Sequence, residues 1–266
     1  MGQAKADQSL QQSAAYQELV QALAETGCPL CTIAQRQART HIGGILWDSV
    51  TDPASRARLD ASLGLCGRHS REMLTFAGER LAIAIVQQAV VKAAARQLTE
   101  SPPPPRQALS DRVRSWLGGK PGQTDPGTPT LAADSAPDSY AEQPQTPAPC
   151  PACEVEARTE ARVAEVLIRH LKNDLDKPLA AAGGLCRPHL YYCLERSPRS
   201  QHTGLIALHQ ELWAALGGHL GEFIRKRDHR FHHETITDAE RDAVERSVQL
   251  ITGGDPLYPP RKEPRK

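Results

Sequence analysis

Metal-binding residue types recur in this chain as two copies of one pattern. In each copy a Cys-Pro-x-Cys segment is followed, after a long interval, by a Gly-Leu-Cys-x-x-His segment. The eight residues are Cys28, Cys31, Cys66 and His69 in the first copy and Cys150, Cys153, Cys186 and His189 in the second. Three thiols and one imidazole in two close pairs are the ligand count and spacing of a tetrahedral Zn²⁺ site. The sequence therefore predicts two zinc ions per chain.

The same residue types allow other chemistry. A Cys-Pro-x-Cys segment also begins the active-site helix of thiol oxidoreductases, and three Cys with one His can hold an iron–sulfur cluster. The oxidoreductase interpretation needs a βαβ context, which the sequence lacks, and it leaves the Cys-x-x-His pairs unexplained. We therefore favour zinc, with redox-sensing thiols and an iron–sulfur cluster as alternatives. Each tetrad can form within one copy or be swapped between copies, and the short helical hairpin inside each copy makes the first pairing the simpler expectation.

Composition indicates which partners and which compartment to expect. The 266 residues carry 32 basic and 31 acidic side chains, so net charge gives no reason to expect a nucleic-acid or membrane partner. No apolar run approaches the roughly 20 residues that span a bilayer. The N-terminal residues lack the apolar stretch of a secretory signal. We expect a cytoplasmic protein with reduced thiols, where paired cysteines serve as ligands more often than as disulfides.

The organisation of the chain follows the two copies. Apolar residues recur at helical spacing, as in Tyr16, Leu19, Val20 and Leu23, and no alternating strand pattern stands out, so the sequence predicts an all-α fold. Helical metal-binding repeats are expected over 1–100 and 150–254, each tied by a Cys₃His site. Residues 101–149 hold 11 of the 21 prolines and are predicted to be a disordered linker, and residues 255–266 a disordered tail.

Other candidate residues give weaker indications. Arg225, Lys226, Arg227 and Arg230 form a basic stretch that could contact RNA, with Phe231 available for stacking, although a solvated helix end is the favoured interpretation. The seventh cysteine, Cys193, is expected to be a buried apolar residue. The sequence shows no catalytic residues: it has no Gly-rich phosphate loop, no nucleophile elbow and no distinctive carboxylate pair. We expect a non-enzymatic interaction or scaffold protein with a protein partner.

The chain resembles a family of bacterial proteins catalogued as a domain of unknown function. Members carry duplicated CPxC and GLCxxH elements, and the eight Cys and His residues named above match them. They end in a basic-aromatic stretch, matched by Arg230 and Phe231, and in a Glu-rich helix closed by a Gly, matched by Glu240–Gly253. Val244 or Val248 stands where the resemblance leads us to expect a Trp. The resemblance implies a shared plan over most of the chain and no assigned activity.

Overall fold

A computed structural model of the chain describes residues 14–100 and 148–254. All regular secondary structure in these two ranges is helical, which confirms the all-α prediction. The predicted linker (except residues 148 and 149) and the predicted tail lie outside the described residues. The domain boundaries and the division into two repeats stay predictions. No helix in 14–100 or 148–254 has the length and apolarity to cross a bilayer.

Among the described residues, the first half (14–100) contributes five helices and the second half (148–254) six, with a π-helical turn between two of them. Those of the first half are α1 (Ala14–Leu23), α2 (Pro29–Trp47), α3 (Pro53–Ala61), α4 (Gly67–Met73) and α5 (Arg80–Glu100). Those of the second half are α6 (Pro151–His170), the π-helical turn Leu171–Leu175, α7 (Asp176–Ala182), α8 (Arg187–Arg196), α9 (Arg199–Lys226), α10 (Asp238–Arg241) and α11 (Ala243–Thr252).

The helices begin where the sequence provides start signals. Cys28 and Cys150 precede α2 and α6 as N-cap residues, and a proline follows each at the first helical position. The carboxylate of Asp52 accepts the backbone N–H of Ser55 at 2.8 Å and caps α3. Thr237 and Glu240 close a capping box at the start of α10.

Two apolar clusters extend across both halves of the chain. The more extensive one joins Leu30, near the start of α2, to Leu167, near the end of α6. The other joins Ala38 and Ile42, further along α2, to Ala152 at the start of α6. Helices α2 and α6 are therefore antiparallel, and they form the most extensive helix pair among the described residues.

In the sequence, one long helix after His69 is predicted by apolar residues at helical spacing, namely Leu74, Ala77, Leu81, Ile85 and Val86. The structure divides this segment into two helices. Helix α4 ends at Met73, and α5 begins only at Arg80. The hydroxyl of Thr75 donates to the carbonyl of Glu72 at 2.8 Å, which caps the end of α4. Leu74 is 56% exposed and Leu81 76% exposed, so the apolar stripe does not face the core on either side of the break.

Candidate metal centres

The first metal centre lies where the start of α2 meets the start of α8. The imidazole Nδ1 of His189 lies 3.4 Å from the sulfur of Cys28, 3.2 Å from that of Cys31 and 3.2 Å from that of Cys186. The sulfurs of Cys31 and Cys186 are 3.6 Å apart. Cys186 and His189 are buried, whereas Cys28 and Cys31 are partly exposed.

The second metal centre lies where the start of α4 meets the start of α6. The Nδ1 of His69 lies 3.4 Å from the sulfur of Cys66, 3.6 Å from that of Cys150 and 3.4 Å from that of Cys153. The sulfurs of Cys66 and Cys153 are 3.7 Å apart. His69 is fully buried, and its three cysteines are partly exposed.

These spacings can be compared with a regular Cys₃His zinc tetrahedron. Zn–S bonds of about 2.3 Å and Zn–N bonds of about 2.05 Å place sulfurs about 3.8 Å apart and sulfur from nitrogen about 3.6 Å. The observed separations, 3.6–3.7 Å between sulfurs and 3.2–3.6 Å between sulfur and nitrogen, lie within a few tenths of an ångström of these values. All donor atoms of each tetrad lie within 4.8 Å of one another. The eight residues named from the sequence thus form two groups that could each hold one metal ion.

The expectation that each tetrad forms within one copy is wrong, because each tetrad combines residues of both copies. Helix lengths explain this. Helix α2 has 19 residues and runs about 28 Å, whereas α3, which returns the chain toward Cys66, has 9 residues and runs only about 13 Å. Helix α3 is therefore too short to bring Cys66 back to the level of Cys28 at the start of α2. The antiparallel helix α6 begins near Cys66 and supplies the missing cysteine pair.

Two backbone hydrogen bonds align the exchanged segments. The N–H of Gly27 donates to the carbonyl of Ala182 at 2.7 Å, just before the cysteine pair of the first half and the Gly-Leu-Cys loop of the second. The N–H of Ala148 donates to the carbonyl of Ala61 at 3.0 Å, in the corresponding place at the other centre. Each Cys-Pro-x-Cys turn is thus attached by main chain to the Gly-Leu-Cys loop whose ligands it joins.

A carboxylate of α6 lies close to the second ring nitrogen, Nε2, of each histidine. The Nε2 of His189 is 3.2 Å from Glu160, and the Nε2 of His69 is 3.3 Å from Glu156. Arg68 also contacts Glu156. A ligating imidazole commonly donates its second N–H to such an acceptor, which fixes the ring and strengthens the nitrogen that faces the metal. Neither glutamate could be found from the sequence, since its position along the chain gives no sign of which histidine it meets.

Each tetrad places a histidine of raised pKa beside one cysteine of lowered pKa. Burial by itself lowers the pKa of His189, but hydrogen bonds to cysteines of its tetrad and to Glu160 raise it to about 12. Burial likewise lowers the pKa of His69, while hydrogen bonds with Cys150 and Glu156 raise it to about 10. Burial raises the pKa of Cys150, but its hydrogen bond with His69 brings it to about 6. A hydrogen bond with Cys186 raises the pKa of Cys31, and burial raises that of Cys153, so metal uptake has to release protons from these thiols and from both imidazoles.

The loop before Cys186 is held by a buried histidine that the sequence analysis did not single out. The N–H of Leu185 donates to Nε2 of His209 at 2.8 Å, and Nδ1 of His209 donates to the carbonyl of Leu205 at 2.7 Å. Gly184 has φ +82°, and a Cβ there would come within 2.8 Å of Leu212 in α9. Only glycine fits this turn, and it lets the loop pack closely against α9.

The first centre has an additional contact from the end of α11. The backbone N–H of Gly254 donates to the sulfur of Cys31 at 3.1 Å. A Cβ on Gly253 would lie 3.4 Å from the sulfur of Cys186. The final Gly-Gly pair of the described chain therefore covers two of the sulfurs and supplies an N–H donor to one of them.

The remaining candidates lie outside both tetrads. Cys193 is buried in the larger apolar cluster, in agreement with the prediction, and burial raises its pKa to about 12. In the basic stretch each cation has a partner among the described residues. Arg225 pairs with Glu222 and Glu234, Lys226 with Glu240 and Arg230 with Asp228, while Arg227 lies over the ring of Phe223.

The described residues thus form an all-helical protein in which two Cys₃His groups, each able to hold a metal ion, join the two halves. Residues 17–257 match a family described as "Family of unknown function (DUF6062)", and the chain belongs to that family. This confirms the resemblance drawn from the motifs. No curated protein and no solved structure matches the chain.

Proposed function

We propose that this protein is a structural zinc protein without catalytic activity, in which two zinc ions fasten its halves into one helical body that binds a protein partner. The observation that carries the proposal is the closeness of four protein donors in each tetrad, all within 4.8 Å. Four such donors complete a tetrahedral shell and leave no position for water or substrate. Closed shells of this kind contribute folding energy, on the order of 10 kcal/mol in zinc-finger peptides.

The donor spacing supports a single ion over a cluster. An iron–sulfur cluster places several irons and sulfides between the protein ligands, so its cysteines must stand further apart than ligands of one ion. The separations of 3.6 Å and 3.7 Å between sulfurs suit one ion of the size of zinc. Thiolate and imidazole donors are also the set that zinc prefers.

Exposed apolar residues support a protein partner. Val244, Val248 and Ile251 lie at positions i, i+4 and i+7 of α11, and each is more than 40% exposed. Residues with this spacing share one helix face, which suits a partner helix or groove. The end of the same helix contacts the first centre through Gly254, so zinc would hold this face in place.

Metal analysis of the full chain tests the zinc part of the proposal. We expect about two zinc ions and no iron per chain, corresponding to the two tetrads. Removing zinc with a chelator should lower the melting temperature and the cooperativity of unfolding, and added zinc should restore both. Iron with visible absorption, or full thermal stability of the metal-free chain, would rule out a structural zinc role.

Substitutions on α11 test the partner. Val248→Lys should abolish capture of proteins that co-purify with the zinc-loaded chain, while zinc content stays at the wild-type value. Leu81→Lys is the matched control, because Leu81 is exposed on a different helix. Equal capture by Val248→Lys and wild type would reject α11 as the interaction surface.

Redox sensing is the second candidate function, and the partial exposure of five of the six ligating cysteines favours it. Mild peroxide would then oxidise paired thiolates to disulfides and release zinc. Zinc retained under peroxide that oxidises a control thiol supports the structural role, whereas zinc release with loss of free thiols supports the sensor. RNA contact through residues 225–233 is less favoured, because the cations of this stretch already have partners. A salt-dependent RNA complex that Arg225→Ala, Arg227→Ala and Arg230→Ala together abolish would support it.

A further inference from the structure

A cavity of about 620 Å³ opens beside the first metal centre. Its walls come from the start of α2, the loop before α8, and helices α9 and α11, and they include the ligand residues Cys28, Cys31 and Cys186. Pockets that bind small molecules measure about 300–1,000 Å³, so the space suits a small organic molecule. We call this cavity the sulfur-side cleft.

Three arginines line the sulfur-side cleft, and two of them have partners. Arg36 forms an ion pair with Glu25, and Arg39 contacts Thr75 and Glu72. The third, Arg246 of α11, makes no ion pair or side-chain hydrogen bond with the described residues, and its Nε is buried. That Nε makes no hydrogen bond with a sulfur of the metal centre. The two carboxylates that line the cleft, Glu25 and Glu72, pair with the other two arginines, so Arg246 is a cationic donor without an acceptor.

Trp213 is a second residue of the cleft whose side chain has an unpaired donor. It lines the cavity from α9, and its buried indole Nε1 has no partner among the described residues. Guanidinium and indole N–H groups only donate hydrogen bonds, so the group that satisfies them must be an acceptor. A buried donor without an acceptor costs about 1–3 kcal/mol, and guanidinium pairs best with an anion.

Apolar side chains line the rest of the cleft. Leu212 and Leu216 of α9 and Leu250 of α11 lie along the same walls. We propose that the sulfur-side cleft binds a small organic anion, whose charged group accepts hydrogen bonds from Arg246 and Trp213 and whose apolar body packs against these leucines. This site goes beyond the structural role of zinc and requires no exchange at the metal.

Two matched fluorescent probes test the proposal on the zinc-loaded full chain. The anion is 8-anilinonaphthalene-1-sulfonate, and the control is N-phenyl-1-naphthylamine, which has the same rings without the sulfonate. We expect saturable binding of one sulfonate probe per chain. Arg246→Gln should raise the Kd of the sulfonate probe about tenfold or more, since a hydrogen bond to a charged group is lost. The Kd of the uncharged probe should stay unchanged.

Further variants make the outcome unambiguous. Trp213→Phe keeps the ring and removes the donor, and it should weaken the sulfonate probe several-fold. Arg241→Gln, on the exposed α10, should leave both probes at wild-type affinity. Absence of saturable sulfonate binding, or an unchanged Kd in Arg246→Gln, overturns the proposal. Equal weakening of both probes also overturns it, because Arg246 would then only shape the cleft. Zinc content, measured on the same samples, separates failure of this site from failure of the zinc proposal.

Discussion

Exchange of ligands between the two halves can be tested with two double variants that differ in one position. Cys31→Ser with Cys186→Ser removes two ligands of the first centre and leaves the second centre complete. Cys31→Ser with Cys66→Ser removes one ligand from each centre. We therefore expect one tightly held zinc in the first double variant, none in the second and two in the wild type. Pairing within each half predicts the reverse zinc contents: none in the Cys31/Cys186 variant and one in the Cys31/Cys66 variant.

The loss of stability can also be worked out from the structure. The Cys31–Cys186 link closes 155 residues and the Cys66–Cys153 link closes 87. If each metal link is treated as a cross-link that restricts the unfolded chain, the two links stabilise the fold by about 5.1 and about 4.6 kcal/mol. A link that closes a 35-residue loop within one half would contribute about 3.8 kcal/mol. A loss of this size approaches the total stability of many domains, about 5–15 kcal/mol. The variants must therefore be assayed at low temperature.

The assay is a chelator challenge followed by elemental analysis of the protein fraction. Zinc bound by a complete tetrad survives a chelator that removes zinc from a site with one ligand missing. Circular dichroism on the same samples confirms that each variant keeps its helices. Retention of one zinc by the Cys31/Cys66 variant and none by the Cys31/Cys186 variant would refute the exchanged pairing.

Three further predictions concern residues that support the centres. Glu156→Gln should lower the zinc affinity of the second centre alone, and Glu160→Gln that of the first alone, each by about 10–100-fold. Competition with a chelator measures these affinities. Equal effects on both ions would contradict the assignment. Gly184→Ala should lower the free energy of unfolding by more than the roughly 1 kcal/mol expected for Gly183→Ala, because its Cβ would lie 2.8 Å from a side chain of α9 whereas Gly183 has open space; equal losses in urea titrations would contradict this. His209→Phe removes the acceptor of a buried N–H and should cost about 1–3 kcal/mol at pH 7.5. Since burial lowers the pKa of His209 below 6.5, the folded wild type loses stability as the pH falls below about 6.5, so the gap between wild type and His209→Phe should narrow by pH 5.5; a gap that is constant with pH would contradict the buried neutral form.

The ligands and most helix starts could be predicted from the sequence because their signals are local. Cys-x-x-Cys and Cys-x-x-His spacings, the Asp52 cap and the Thr237 capping box each act over three or four residues. The apolar period likewise identified the helical class. These features need no knowledge of which segments meet in space.

The pairing of the tetrads depends on distances that the motifs do not contain. It follows from the excess length of α2 over α3 and from the antiparallel packing of α2 on α6. The same packing brings Glu156 to His69, which is 87 positions away in sequence, and no spacing rule links such residues. The early end of α4 was missed because Thr75 caps it through its own hydroxyl, while the apolar residues around it keep a helical period.

Sharing of both centres between the halves has a consequence for assembly. The first half of one molecule can complete its tetrads with the second half of another, forming a reciprocal dimer that contains four ions and the same contacts. The 47 positions 101–147 connect the two halves of one molecule and so set the concentration at which each half meets the other. This concentration decides how strongly pairing within one molecule is favoured over pairing between two. Refolding at high protein concentration, or shortening of this segment, should shift material toward such dimers, while the coordination of each ion stays the same.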